Sequence, residues 1–163
     1  MAVFNVRTLK QAGQQAALAL TLDSLGIDVC CVSETRIQDA SKVTELTASS
    51  VAYRFWLRTY GDPESVATGS ARVGIVLSQK AECCLVDWIP VDSRLCAVRL
   101  TTSVKVSHEC EVSRCLFIVS AYAPTNCSSE AAKDSFYDAL RALLRRAESS
   151  DIVVVAGASR LFG

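Results

Sequence analysis

The side chains best suited to chemistry in this chain stand where apolar runs stop. Asp28-Val29-Cys30-Cys31-Val32-Ser33-Glu34-Thr35-Arg36 is an apolar run that ends in a carboxylate, a hydroxyl and a guanidinium. Such a run reads as a buried strand whose C-terminal end opens into a polar cleft. A single Glu at that edge suits a hard divalent cation, which prefers oxygen ligands. The alternative is a solvated Glu34–Arg36 pair at a strand end. Asn5, near the end of the apolar stretch Ala2–Val6, and Tyr122, at the mouth of Leu116–Tyr122, hold comparable positions. Singly, Asn5 could cap a turn and Tyr122 could bond a loop carbonyl. Together, three polar residues at three strand ends point to a shared cleft, because open α/β sheets bind ligands at their strand ends.

Those positions require a sheet, and the pattern along the chain supplies one. Ala2–Val6 reads as a first strand. Thr8 with Gln11 three residues later fits a capping box, and Leu9, Ala12, Ala16 and Leu20 fall near helical spacing. Gly26 suits the helix C-terminus, so the first 36 residues read as β-α-β, the unit of a parallel pair. Residues Ile37–Ser50 are polar, with part fitting a short helix. Val51–Arg58 reads as a strand, Tyr60–Ser70 as a loop rich in turn residues, and Val73–Leu77 as a buried strand. Further strands are expected at Glu82–Ile89, Leu95–Thr101 and Cys115–Tyr122, the last stopped by Pro124. Ser128 or Ser129 caps a second helix whose stripe is Ala132, Phe136, Leu140, Leu143, Leu144 and Ala147. Ile152–Ala156 is one more buried strand. The class is α/β, a mixed sheet with two main helices, in a single domain over 1–163.

Composition narrows the functions. Half of the 163 residues are hydrophobic, enough for a packed core. Lys+Arg and Asp+Glu are 17 each, so any nucleic-acid contact needs a local basic patch, not a global field. The eight cysteines include no C-x-x-C, and there is one histidine, His108, so a zinc site has little support. The adjacent pairs Cys30-Cys31 and Cys83-Cys84 would each be split across a sheet, as small buried hydrophobes in a reducing compartment. The N-terminus does not read as a signal peptide, and no apolar run reaches the ~20 residues of a membrane span. A soluble, intracellular protein is expected, nuclear or cytoplasmic.

In chain order, Phe4-Asn5-Val6-Arg7-Thr8-Leu9, Ser33-Glu34-Thr35-Arg36, Gly74–Ser78, Asp92-Ser93-Arg94, Ser120–Thr125 and Asp151–Gly157 form a set. This set resembles the endonuclease/exonuclease/phosphatase superfamily. More narrowly, it is similar to the apurinic-type endonuclease domain of RTE-type non-LTR retrotransposons. The resemblance implies a four-layer α/β sandwich, two sheets face to face with helices outside. It implies cleavage of DNA phosphodiesters with Mg²⁺ or Mn²⁺. It makes Glu34 a metal ligand, Asn5 an outer-shell residue fixing that carboxylate, and Tyr122 a hydrogen-bond donor to the scissile phosphate. Arg36 and Arg94 become candidates for touching backbone phosphates or for bracing the cleft, with bracing preferred.

The chain then departs from that pattern. Where relatives carry Asp-x-Asn, it has Ala158, Ser159 and Arg160, and the family's later Asp and Asp-His pair are missing. His108 is no substitute on motif grounds, and Gly157–Leu161 is not G-x-S-x-G, so a serine-hydrolase reading fails. Losing the base removes ~10²–10⁴-fold in rate. The expectation is an incomplete sandwich: a truncated, catalytically inactive copy with an exposed apolar sheet face inviting self-association. The rivals are a non-catalytic remnant that binds nucleic acid or protein weakly, and a small α/β ligand-binding module.

Overall fold

The computed structural model describes residues 1–37, 43–48, 54–60, 72–107 and 110–159. The elements in chain order are β1 (Ala2–Asn5), α1 (Ala12–Ser24), β2 (Val29–Ser33), β3 (Val43–Leu46), β4 (Phe55–Thr59) and β5 (Gly74–Ser78). They continue with α2 (Gln79–Glu82), β6 (Leu85–Pro90), β7 (Leu95–Ser107), β8 (Cys110–Ala123), α3 (Glu130–Leu144) and β9 (Ile152–Ser159). They form two mixed sheets, one of five strands in the order β1-β2-β5-β4-β3 and one of four in the order β6-β7-β8-β9. The β-α-β unit makes the parallel pair β1–β2, and β8–β9 is the other parallel pair.

Three apolar layers hold the sandwich. Val29, Cys31, Ile75 and Leu77 of the first sheet meet Cys96, Val98, Ile118 and Tyr122 of the second. The opposite face of the first sheet, with Cys30, Val32, Leu57 and Val76, packs under Leu18, Ala19 and Leu22 of α1. The opposite face of the second, with Ala97, Phe117 and Val119, packs under Phe136 and Leu143 of α3. The order of layers is therefore helix, sheet, sheet, helix. Because β2 and β5 are covered on both faces, all their residues are buried, and their sequences are continuous apolar runs, not alternating ones. Gly74 is required at the start of β5. A Cβ there would stand 2.9 Å from the Arg58 carbonyl oxygen and from Thr59 Cγ2 of the neighbouring strand.

Several expectations are corrected by tertiary contacts. Helix α1 starts at Ala12 rather than after Thr8, with the Gln14 side chain accepting from the Gln11 N–H at 3.3 Å. The segment before it is already engaged: Leu9 is buried and its N–H donates to the Thr35 carbonyl at 2.8 Å. Gly26 (φ 60) follows the last helical turn, with Gly26 N–H on Asp23 O and Ile27 N–H on Leu22 O, the paired bonds of a Schellman end. Within Ile37–Ser50 the described stretch 43–46 is a strand, fixed by pairing with β4 and by burial of Leu46. Cys83-Cys84 is not split across a sheet. It closes α2, which Ser78 caps by accepting from Ala81 N–H at 3.2 Å. Of the expected loop Tyr60–Ser70, residues 61–70 lie outside the described residues, as does His108.

The buried thiols give a pH prediction. Burial pushes Cys30 up to about 12 and Cys31 up to about 11, and raises Cys96 well above its ordinary value of 9.0. These folded-state values exceed the unfolded one, so the neutral thiols' contribution is fully present below pH 9 and is lost as pH rises toward 11 and beyond. Between those limits each thiol should add a slope of ~1.4 kcal/mol per pH unit to the loss of stability. Urea unfolding across this range checks it, and Cys31→Ala should flatten the slope by about one thiol's share.

Candidate active site

Five chain segments are tied together at one end of the sandwich. Val6 N–H donates to Ser33 O (3.1 Å) and Leu9 N–H to Thr35 O (2.8 Å), stitching the segment after β1 to the end of β2. Thr35 N–H donates to Arg72 O (3.2 Å), and Val73 N–H to Ser93 O (3.0 Å). That second bond crosses from the first sheet to the turn between β6 and β7. The Asp92 carboxylate holds this turn by accepting from Arg94 N–H at 2.6 Å, and Tyr122 N–H donates to Arg94 O at 2.9 Å. The two sheets are thus locked to each other where β2 and β8 end.

At that lock sits a carboxylate. Glu34 is 3% exposed, and its Oε1 accepts from Asn5 Nδ2 at 3.1 Å and from the Tyr122 hydroxyl at 3.0 Å. The donors come from β1 in one sheet and β8 in the other, so the junction exists only when both sheets are assembled. Asn5 is fixed in turn, because its Oδ1 accepts from Arg7 N–H at 3.1 Å. A buried carboxylate must be hydrogen-bonded to be tolerated, and both of these donors are neutral groups that orient it. Glu34 also sits at φ 61, in the left-handed region, a conformation costing a side-chain-bearing residue ~1–2 kcal/mol.

Of the residues singled out in the sequence, Asn5, Glu34 and Tyr122 meet directly. Arg94 joins them as a brace: its Nη1 donates to the Tyr122 carbonyl at 3.4 Å, and its guanidinium lies 5.9 Å from the Tyr122 ring centre. Arg36 is exposed and makes no ion pair among the described residues, so the Glu34–Arg36 strand-end pair does not form. Position 158 pairs in register with Tyr122 across β8–β9. The Ala that replaces an expected Asp therefore lies one strand from the junction. Arg160 lies outside the described residues. Sequence reasoning missed Arg72. It is 4% exposed, donates from Nη1 to Ile37 O at 2.8 Å, and accepts from Thr35 with its own carbonyl. Its one signal was a cation directly before the apolar run of β5.

The donor set fits a hydrated hard cation better than a soft one. It offers one carboxylate and no imidazole, and among the described residues no three His, Cys, Asp or Glu cluster as ligands. Mg²⁺ is commonly held by one or two carboxylates while keeping several waters. Ser33 and Thr35, which flank Glu34, have buried hydroxyls with no hydrogen-bond partner among the described residues. Such orphans call for a water or an ion nearby.

No family model and no curated protein sequence matches the chain. Among solved structures, it is similar to the crystal structure of the Xenopus laevis APE2 catalytic domain, with a TM-score of 0.55 at 16% sequence identity. The match covers 96% of this chain and 56% of that one, so the chain spans about half the neighbour's length. At this identity the similarity speaks to architecture, and it agrees with the helix-sheet-sheet-helix order seen here. By fold, the chain is a four-layer α/β sandwich of the kind seen in that catalytic domain.

Proposed function

We propose that the chain derives from a divalent-metal-dependent DNA endonuclease domain of retrotransposon lineage and has lost catalytic competence. The observation that carries this reading is the Asn5–Glu34–Tyr122 junction, built from both sheets at their strand ends. The order of motifs along the chain supports the retrotransposon lineage. The alanine at position 158, beside Tyr122, supports inactivity.

In this reading Glu34 holds Mg²⁺ or Mn²⁺, and Asn5 fixes the carboxylate's rotamer. When bound, such an ion neutralises charge on a phosphodiester's nonbridging oxygens. Tyr122 positions Glu34 and stands next to the place where a scissile phosphate would lie, while Arg94 braces the Tyr122 backbone. No side chain described near Glu34 is assigned to take a proton from water, which leaves an ion-binding and DNA-binding site without its base. Among the described residues no helix is long and apolar enough to cross a membrane.

Thermal unfolding with and without Mg²⁺ or Mn²⁺ tests the reading. At ~100 times its dissociation constant, an ion bound only by the folded state adds ~2.7 kcal/mol. That gain should be present in the natural chain and absent in Glu34→Ala. A cooperative transition indifferent to both ions would sink the metal assignment. Rapid Mg²⁺-dependent nicking of plasmid by the natural chain would sink the inactivity.

A further inference from the structure

Two exposed arginines beside Glu34 take no part in the hydrogen-bonded junction through their side chains. Arg7 (φ 56) and Arg36 (φ 53) both have left-handed backbones, and Glu34 (φ 61) is the third such non-glycine residue among those described. All three stand within three residues of the C-terminal ends of β1 and β2, which are parallel neighbours. In this region Cβ crowds the following carbonyl, so glycine is the default occupant. Side-chain-bearing residues held there are concentrated at functional sites. The three are linked by short paths: Arg7 N–H bonds Asn5 Oδ1, Asn5 Nδ2 bonds Glu34 Oε1, and Leu9 N–H bonds Thr35 O between Glu34 and Arg36.

Arg94 and Arg72, also near this end, are engaged. Arg94 lies on Tyr122, and Arg72 is buried and bonded to Ile37 O. Arg58, further along β4, pairs with Glu82. Arg7 and Arg36 form no ion pair among the described residues and are exposed. In a chain with 17 positive and 17 negative side chains, no global field draws in a polyanion. Attraction must come from such local charges.

We propose that Arg7 and Arg36 form a two-armed clamp for backbone phosphates beside the Glu34 site. The proposal rests on the reading above and deepens it. Two exposed cations on the segments that follow neighbouring strands, at the same end as one carboxylate, suit a continuous strand with several phosphates rather than a phosphomonoester. The backbone strain persists because a glycine at either position would relieve it only by removing the charge.

Anisotropy of a labelled short DNA duplex across a salt series tests the clamp. Removing one arginine–phosphate interaction makes the slope of log affinity against log salt shallower by ~1. Arg7→Gly and Arg36→Gly should each do so, and the double variant should make it shallower by ~2. Arg→Lys at each position should keep the slope, and Arg54→Ala, at the far end of the sandwich, should leave it unchanged. The glycine variants should unfold at a temperature no lower than the natural chain, since glycine accepts positive φ freely. An unchanged slope in a protein that binds DNA and whose Mg²⁺ stabilisation needs Glu34 overturns the clamp and spares the nuclease-fold reading. Glycine variants that unfold at lower temperature overturn the strain argument. A natural chain with no salt-dependent DNA binding removes the clamp and the DNA reading together.

Discussion

Ala158→Asp combined with Arg160→Asn is expected to raise Mn²⁺-dependent nicking of supercoiled plasmid by ~10²–10⁴-fold over the natural chain, the range a positioned general base contributes. The case rests on register. β8 and β9 run parallel, and Ala158 is the partner of Tyr122, whose hydroxyl is 3.0 Å from Glu34 Oε1. Successive strand positions alternate between faces, so position 158 shares Tyr122's face of the sheet and position 159 does not. Alanine there cannot accept a proton, and a carboxylate could. Arg160→Asn completes the Asp-x-Asn pattern that the family resemblance implies. Two controls make the test specific. Ser159→Asp should gain nothing, and the double variant on a Glu34→Ala background should stay silent. If the double variant is no faster than the natural chain while still gaining stability from Mn²⁺, the role proposed for position 158 fails.

The parts of this architecture that were legible in the sequence are those set by local pattern. Val29–Ser33 and Gly74–Ser78 are uniformly buried and uniformly apolar apart from their ends, so burial and sequence say the same thing. Cys30 and Cys31 divide between the helix-facing and sheet-facing cores as strand alternation requires. Ser129 caps α3 by accepting from Ala132 N–H at 3.2 Å, and Phe136 and Leu143 form its buried stripe. What was illegible depends on partners distant in sequence. The start of α1 is displaced because Leu9 is claimed by Thr35, 26 residues away by their numbers. β3 is fixed as a strand by the edge that β4 offers and by burial of Leu46; the β-branched Val43 and Thr44 favour one, but four residues in a polar stretch are too short a signal. Arg72 is a buried guanidinium whose role depends on the Thr35–Ile37 segment folding over it. The positive φ angles of Arg7, Glu34 and Arg36 contradict residue preference outright. Places where local rules fail while the fold persists are expected to be functional.

Phe117→Ala is expected to cost about 3–5 kcal/mol, a large part of a single domain's ~5–15 kcal/mol. Phe117 is fully buried in β8, on the face that packs under α3 with Leu95, Ala97, Phe136 and Leu143. Its ring also lies 5.5 Å from the Arg99 guanidinium. Arg99 is itself held by Glu148 at 3.0 Å, by Asp151 at 3.2 Å and by the Arg146 carbonyl at 2.7 Å. Truncation therefore leaves a cavity and removes a cation–π contact worth ~0.5–1 kcal/mol, with Arg99 too firmly tethered to swing into the space. One feature pulls the other way: the β9 partner of Phe117 is Val153, which is 44% exposed, so water can reach the rim of the cavity. The tethered guanidinium and the α3 packing outweigh that rim, which places the cost within the stated range. Val153→Ala, by contrast, should stay near ~0.5 kcal/mol, as ordinary surface changes do. Urea midpoints at unchanged m-value provide the measurement. A Phe117→Ala cost below ~1 kcal/mol would mean that α3 is not packed on this sheet as described. Tyr122 lies five residues further along the same strand on the opposite face. Below its unfolding midpoint the variant should therefore keep the Glu34-dependent response to Mg²⁺, separating what holds the second sheet to its helix from what holds the two sheets at the site.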